Sequence, residues 1–175
     1  DFNPEHFAAA KAFQGGQALA NLELHDKPLS AFCGANPASA IDLITCTGTW
    51  SWLPEQDQMA IASYAGRNLS ARGVLAFDHM TLPGQAATTS LRHLLLTLAA
   101  RLPEPRPADW PKAVIADALE IVEVQARFFH ARDDLRELLL SLLKSPSEAL
   151  IHEYFNRHWQ PRHLTETAEF LSRHG

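Results

Sequence analysis

Two short apolar runs in the first half of the chain end in residues able to do chemistry. Residues 41–46 (IDLITC) are followed by Thr47, Gly48, Thr49 and Trp50, and residues 74–77 (VLAF) by Asp78, His79 and Met80. Cys46 brings a thiol, Gly48 a backbone that a ligand can approach closely, and Trp50 an aromatic face that favours a cation. Asp78 and His79 are a carboxylate and an imidazole, the types that take a proton from a hydroxyl or an amine. Neighbours on a strand point to opposite faces, which argues against Asp78 and His79 acting as a direct pair. In open α/β sheets ligands sit in the crevice outside the carboxyl ends of the strands, where all of these residues fall.

The elements that must position them follow from periodicity. Both runs are short and rich in β-branched or aromatic residues, so they read as strands. Between them Met59, Ala62, Ala65 and Leu69 recur at helical spacing, and Gly73 is expected to end that helix. A strand, a helix-length crossover and a strand make a parallel βαβ unit. Upstream, Asn3-Pro4-Glu5 reads as a helix start: Asn as N-cap, Pro at the first helical position, an acid at the positive end of the dipole. Phe2 and Phe7 have staple spacing. The helix is expected to run to about Gln14 and stop at Gly15-Gly16. Leu22-Glu23-Leu24-His25 alternates and predicts a short strand ended by Asp26-Lys27-Pro28. Residues 29–32 allow one helical turn, and residues 34–40 a loop broken at Asn36-Pro37. Leu82-Pro83-Gly84 closes the α/β part.

The remainder reads as helices. Leu91, Leu94, Leu95 and Leu98 keep the i, i+3, i+4, i+7 pattern. Pro103, Pro105 and Pro107 stiffen the next stretch. Asp109 and Pro111 open a helix carrying Ile115, Ala118, Leu119, Val122, Ala126 and Phe129. Asp133 caps a third, with Leu135, Leu138, Leu139 and Leu142. Ser145-Pro146-Ser147-Glu148 is a capping box ahead of Leu150, Ile151, Tyr154 and Phe155. After Trp159-Gln160-Pro161 a last helix carries Leu164, Ala168 and Leu171.

Composition narrows the function classes. The 175 residues are 46% apolar and 20% charged, with net charge −5, which is the make-up of a globular protein with a real core. Residues 1–84 carry 4 Lys/Arg against 8 Asp/Glu and residues 85–175 carry 11 against 12, so neither half offers the basic surface that nucleic acid requires. The two cysteines form neither a CxxC pair nor a disulfide framework, which points to the reducing cytosol. No apolar run approaches the ~20 residues of a membrane span. The nine histidines show no HExxH and no Cys/His pairing at ligand spacing, so no metal site is expected.

In order and spacing, DFNPEH, LANLELHD, IDLITCTGTWSWLP, RGVLAFDHMTLPG and LRHLLLTLA resemble class I S-adenosylmethionine-dependent methyltransferases. The resemblance is narrower still to a bacterial subgroup in which a helical methyltransferase regulatory domain follows the catalytic core. HEYFNRHWQPRHLTETAEFL is similar to the end of that helical region, so nearly the whole chain is covered. The resemblance implies an α/β fold: a partial Rossmann-like parallel sheet without its first strand and glycine loop, then an all-α domain. Residues 1–84 would be the partial core and residues 85–175 the helical regulatory or substrate-side domain. It implies S-adenosylmethionine as cofactor, a small-molecule or protein methyl acceptor, and a cytoplasmic enzyme. It also implies that these 175 residues alone bind the cofactor weakly or not at all, because the glycine loop is not among them.

Residue by residue, Asp1 matches the acid that holds the ribose hydroxyls and Asp26 the acid that accepts the adenine amino group. Cys46, Thr47 and Gly48 match the strand end where the sulfonium lies. Trp50, with Trp52, matches an aromatic-Ser-Trp pattern that walls the methyl-transfer pocket, and Asp78 and His79 are the acid/base candidates. Plainer roles stand beside these: a terminal Asp1, a strand-ending Asp26, an ordinary turn at Gly48, core packing for the tryptophans, a polar loop residue at His79. The chain departs from the subgroup where Thr47 replaces His, where Asp78-His79-Met80 replaces Ser-Tyr-Asn, and where Gln85 replaces an aromatic. An alternative from another class is a non-catalytic helical binding or regulatory module behind a degenerate sheet.

Overall fold

A computed structural model describes residues 3–35, 40–124 and 132–175, which fall into two compact units: the described residues up to 79 with 164–175, and those from 80 to 163. Asp1, Phe2, Ala126 and Phe129 lie outside the described residues.

The first unit is built on β1 (Ile41–Cys46), α3 (Glu55–Asn68) and β2 (Leu69–Phe77). β1 and β2 pair in parallel, so the strand–helix–strand reading holds. α3 opens behind Pro54 with Glu55 and Asp57 at its positive end and closes with Arg67 at its negative end. Its buried stripe is Gln58, Ile61, Ala62, Ala65 and Asn68, with Tyr64 alongside. Met59, expected in that stripe, is 38% exposed. One face of the sheet, with Ile44, Cys46, Leu75 and Phe77, packs on the core of Cys33, Trp50, Ile61, Ala62, Tyr64 and Phe170. On the other face the paired Leu43 and Val74 are 58% and 54% exposed.

Gly73 does not end α3. It lies inside β2, where the pairing steps from Ile41↔Leu69 to Leu43↔Val74 and leaves residues 70–73 as an irregularity. A Cβ at Gly73 would lie 2.8 Å from the Ile41 carbonyl oxygen and 2.9 Å from the Ser70 nitrogen, so backbone blocks it on two sides. Gly73→Ala is therefore expected to cost about 1–3 kcal/mol through overpacking, read as a lower urea midpoint. A midpoint unchanged in Gly73→Ala would show that the strand step is not where this glycine is needed.

α1 (Pro4–Gly16) starts as expected: the Asn3 side chain accepts the Glu5 amide at 3.0 Å. It runs through Gly15-Gly16, is capped at Gln17, and the left-handed backbone falls on Ala18 (φ 51°). Leu22-Glu23-Leu24-His25 forms no strand among the described residues. An extended segment needs a neighbouring ladder to satisfy its amides, and among the described residues the sheet has two strands, β1 and β2. α2 (Leu29–Cys33) is the expected short turn, and residues 36–39 of the loop after it lie outside the described residues. α8 (Leu164–His174) packs on α3, with the Ser63 hydroxyl donating to the His174 carbonyl at 2.8 Å. The last helix therefore belongs to the first unit, unlike a division of the chain at residue 84. It buries Thr167 and Phe170, whereas Leu164 and Ala168 of the expected stripe are exposed.

The second unit holds α4 (Ala86–Ala99), α5 (Trp110–Glu123), α6 (Asp133–Leu142) and α7 (Ser147–Glu153). Its core gathers the expected Leu91, Leu95, Ile115, Ala118, Val122, Leu135, Leu139, Leu142 and Leu150, joined by Ala99 and Val114. The ends of the unit meet: Leu82 N–H donates to the Arg162 carbonyl and Arg162 N–H to the Met80 carbonyl. The Arg92 guanidinium lies over the Trp159 ring, 5.1 Å from its centre, and donates to the Asn156 carbonyl. Two caps differ from expectation. Arg132, not Asp133, precedes α6, and Pro146 precedes α7 with no side-chain cap bond.

Candidate functional site

The carboxyl ends of β1 and β2 lie side by side, since Cys46 pairs with Phe77. Past Cys46 the chain turns at Gly48, whose φ of +65° is left-handed and suits glycine. Side-chain hydrogen bonds hold this corner. The Gly48 amide donates to Asp78 Oδ1 at 2.6 Å, the Thr49 hydroxyl to the Thr47 carbonyl at 3.0 Å, and Gln58 Nε2 to the Trp50 carbonyl at 2.7 Å. The first spans the two strand ends. It occupies one oxygen of the carboxylate expected to serve as an acid/base group.

Cys46 is half-buried. Burial, and then the Asp78 carboxylate, push its thiol above the ordinary value. The thiol stays neutral at neutral pH and is a poor nucleophile. Trp50 sits in the core of the first unit. It is 1% exposed, its ring centre 4.6 Å from that of Phe77 and 6.1 Å from that of Phe170 in an edge contact. Phe170 belongs to the core and Phe77 packs against it, so the indole is enclosed. Trp52 is half-buried. The His79 ring stacks on Phe77 at 5.8 Å.

Next to this corner the first unit opens into a cleft of about 920 Å³, lined among others by Phe7 of α1, His25, Lys27, Phe32 of α2, Thr49 and Asp57. Asp26 is exposed, and it is its neighbours His25 and Lys27 that line the cleft. The His25 ring sits 4.9 Å from that of Phe32, and its Nε2 is 3.5 Å from a Glu23 carboxylate oxygen. The cleft thus joins the segment around Asp26 to Thr49, one residue beyond Gly48. Sequence reasoning singled out Asp26 and passed over His25, Lys27 and Phe32. The adjacent His and Lys were visible, but the direction in which an irregular segment points its side chains was not. Gln58 was also missed, being a polar residue on a stripe read as apolar. Asp1 lies outside the described residues. Among the described residues no group of three or more His, Cys, Asp or Glu could hold a metal ion, and no helix is long and apolar enough to cross a membrane.

Comparison with known proteins gives three findings. No protein-family model matches the chain. The uncharacterized protein sll1526 of Synechocystis sp. is 27% identical over 172 residues, covering 98% of this chain and 33% of that protein. Among solved structures, PKMT2 from Rickettsia typhi matches with a TM-score of 0.73 at 15% identity, over 99% of this chain and 32% of that one. The same protein in complex with AdoHcy matches with a TM-score of 0.72 at 16% identity, over 99% and 33%. The chain shares its fold with the matched third of these PKMT2 structures, and it spans about a third of the length of these proteins.

Proposed function

We propose that this chain forms part of an S-adenosylmethionine-dependent methyltransferase acting on a small-molecule or protein acceptor. In this reading the parallel pair β1–β2 belongs to a Rossmann-like sheet, and residues 80–163 form the helical regulatory or substrate-side part. The observation that carries the reading is the cleft, where the residues flanking Asp26 and the turn past β1 line one wall beside the carboxyl ends of parallel strands. The match to a PKMT2 structure in complex with AdoHcy supports it.

The residues fit an adenosyl ligand. A cleft of about 920 Å³ lies within the range of small-molecule sites. Phe7, Leu24, Phe32 and Leu53 supply apolar walls, and Lys27, Glu23 and Asp57 supply polar groups. When bound, S-adenosylmethionine supplies an electrophilic methyl group for in-line displacement. The protein's part is to hold two reactants in line and keep water out, an effect of proximity and orientation. His79, past the end of β2, is the base that would take a proton from the acceptor.

The test is thermal unfolding of the full-length gene product that carries this chain, with S-adenosylmethionine and with S-adenosylhomocysteine. A ligand at ~100 times its Kd stabilises the folded state by about 2.7 kcal/mol, read as a rise in Tm. No rise with either compound up to millimolar concentration would refute the proposal.

A further inference from the structure

The bond across the two strand ends points to a role for Asp78 other than proton transfer. β1 and β2 stay in register to Cys46↔Phe77, which puts Asp78 one residue past the ladder on β2 and Gly48 two residues past it on β1. Asp78 Oδ1 accepts the Gly48 amide at 2.6 Å, a hydrogen bond to a charged acceptor, the class that is stronger than a bond between neutral groups. The amide belongs to the residue at φ +65°, so the bond holds the backbone where it reverses. The next residue, Thr49, lines the cleft. Behind the turn Gln58, itself 0% exposed, pins the Trp50 carbonyl. The wall carrying Thr49 is thus fastened to the core on one side by a neutral amide and to the end of β2 on the other by a carboxylate.

We infer that Asp78 is a positioning residue, whose carboxylate latches the Gly48 amide and so sets the next residue, Thr49, in the wall of the cleft against an adenosyl ligand. The ligand's identity rests on the function proposed above; the latch does not. Asp78 acts through Gly48 and leaves acceptor deprotonation to another group. Its side chain is exposed, so removing it leaves the core intact.

Two variants and two measurements test this. Asp78→Asn keeps an oxygen acceptor at the same reach, and Asp78→Ala removes it; Asp78→Ser replaces the second if Asp78→Ala does not fold. In ¹H–¹⁵N spectra of the 175-residue chain, the Gly48 amide proton should move upfield in Asp78→Ala and stay near its position in Asp78→Asn. In the full-length gene product, the Kd for S-adenosylhomocysteine should weaken about tenfold in Asp78→Ala, the loss of one bond to a charged group, and return to within about threefold in Asp78→Asn. A Gly48 amide that ignores Asp78→Ala overturns the latch. An unchanged Kd beside a shifted amide overturns its role in binding. A wild-type gene product that binds no S-adenosylhomocysteine overturns the proposed function and the ligand assigned to the wall, and the amide response then decides the latch by itself.

Discussion

Trp50→Ala should lower the stability of the first unit by about 3–5 kcal/mol, the usual cost of truncating a large buried aromatic. Trp50 is 1% exposed and touches residues from three elements: Phe77 of β2, Phe170 of α8 and, through its carbonyl, Gln58 of α3. Truncation opens a cavity that none of these can fill without leaving its own contacts. A domain has only about 5–15 kcal/mol of stability, so a large share would be lost. The measurement is denaturant unfolding followed by amide exchange in α3, with Trp52→Ala as the control. Trp52 is half-buried and should cost clearly less. Equal or smaller loss in Trp50→Ala than in Trp52→Ala would return Trp50 to the pocket wall.

Leu139→Ala should cost the second unit about 2–5 kcal/mol. Leu139 is 0% exposed in the cluster that joins α4, α5 and α6, where Leu91, Leu95, Val114, Ile115 and Ala118 are also nearly or fully buried. The contrast is Leu164→Ala in α8. Leu164 shares the expected helical spacing but is 69% exposed, and a surface substitution of this kind stays within about 0.5 kcal/mol. Urea midpoints of the two variants read the difference. A Leu164→Ala loss as large as that of Leu139→Ala would mean that α8 is buried on its other face.

These pairs separate what was legible along the chain from what was not. The Asn3 cap and the apolar stripes of α4, α5 and α6 were readable because each depends on residues a few positions apart, and the parallel pairing of residues 41–46 with residues 74–77 because a helix-length crossover between two strand-like runs implies it. In α3 the same periodicity placed Ala62 and Ala65 correctly but not Met59, and in α8 it gave the right helix with the stripe shifted. Met59 and Leu164 face outward, while Gln58, Thr167 and Phe170 face in. Spacing tells that one stripe is apolar, and the partner helix decides which stripe is covered. Residues 22–25 alternate like a strand but form none, because a strand exists only against a neighbour.

At the site the division is the same. The chain by itself determined which chemical groups cluster at the strand ends: a thiol, a glycine turn, a carboxylate, an imidazole and two indoles. Only the tertiary structure decided their work. It sent Trp50 into the core, raised the pKa of the Cys46 thiol by burial, turned His25 and Lys27 into the cleft beside an exposed Asp26, and joined Asp78 to the amide of Gly48. The reason is distance: Gly48 and Asp78 are 30 positions apart, and only the pairing of two strands through a helical crossover brings them within one hydrogen bond.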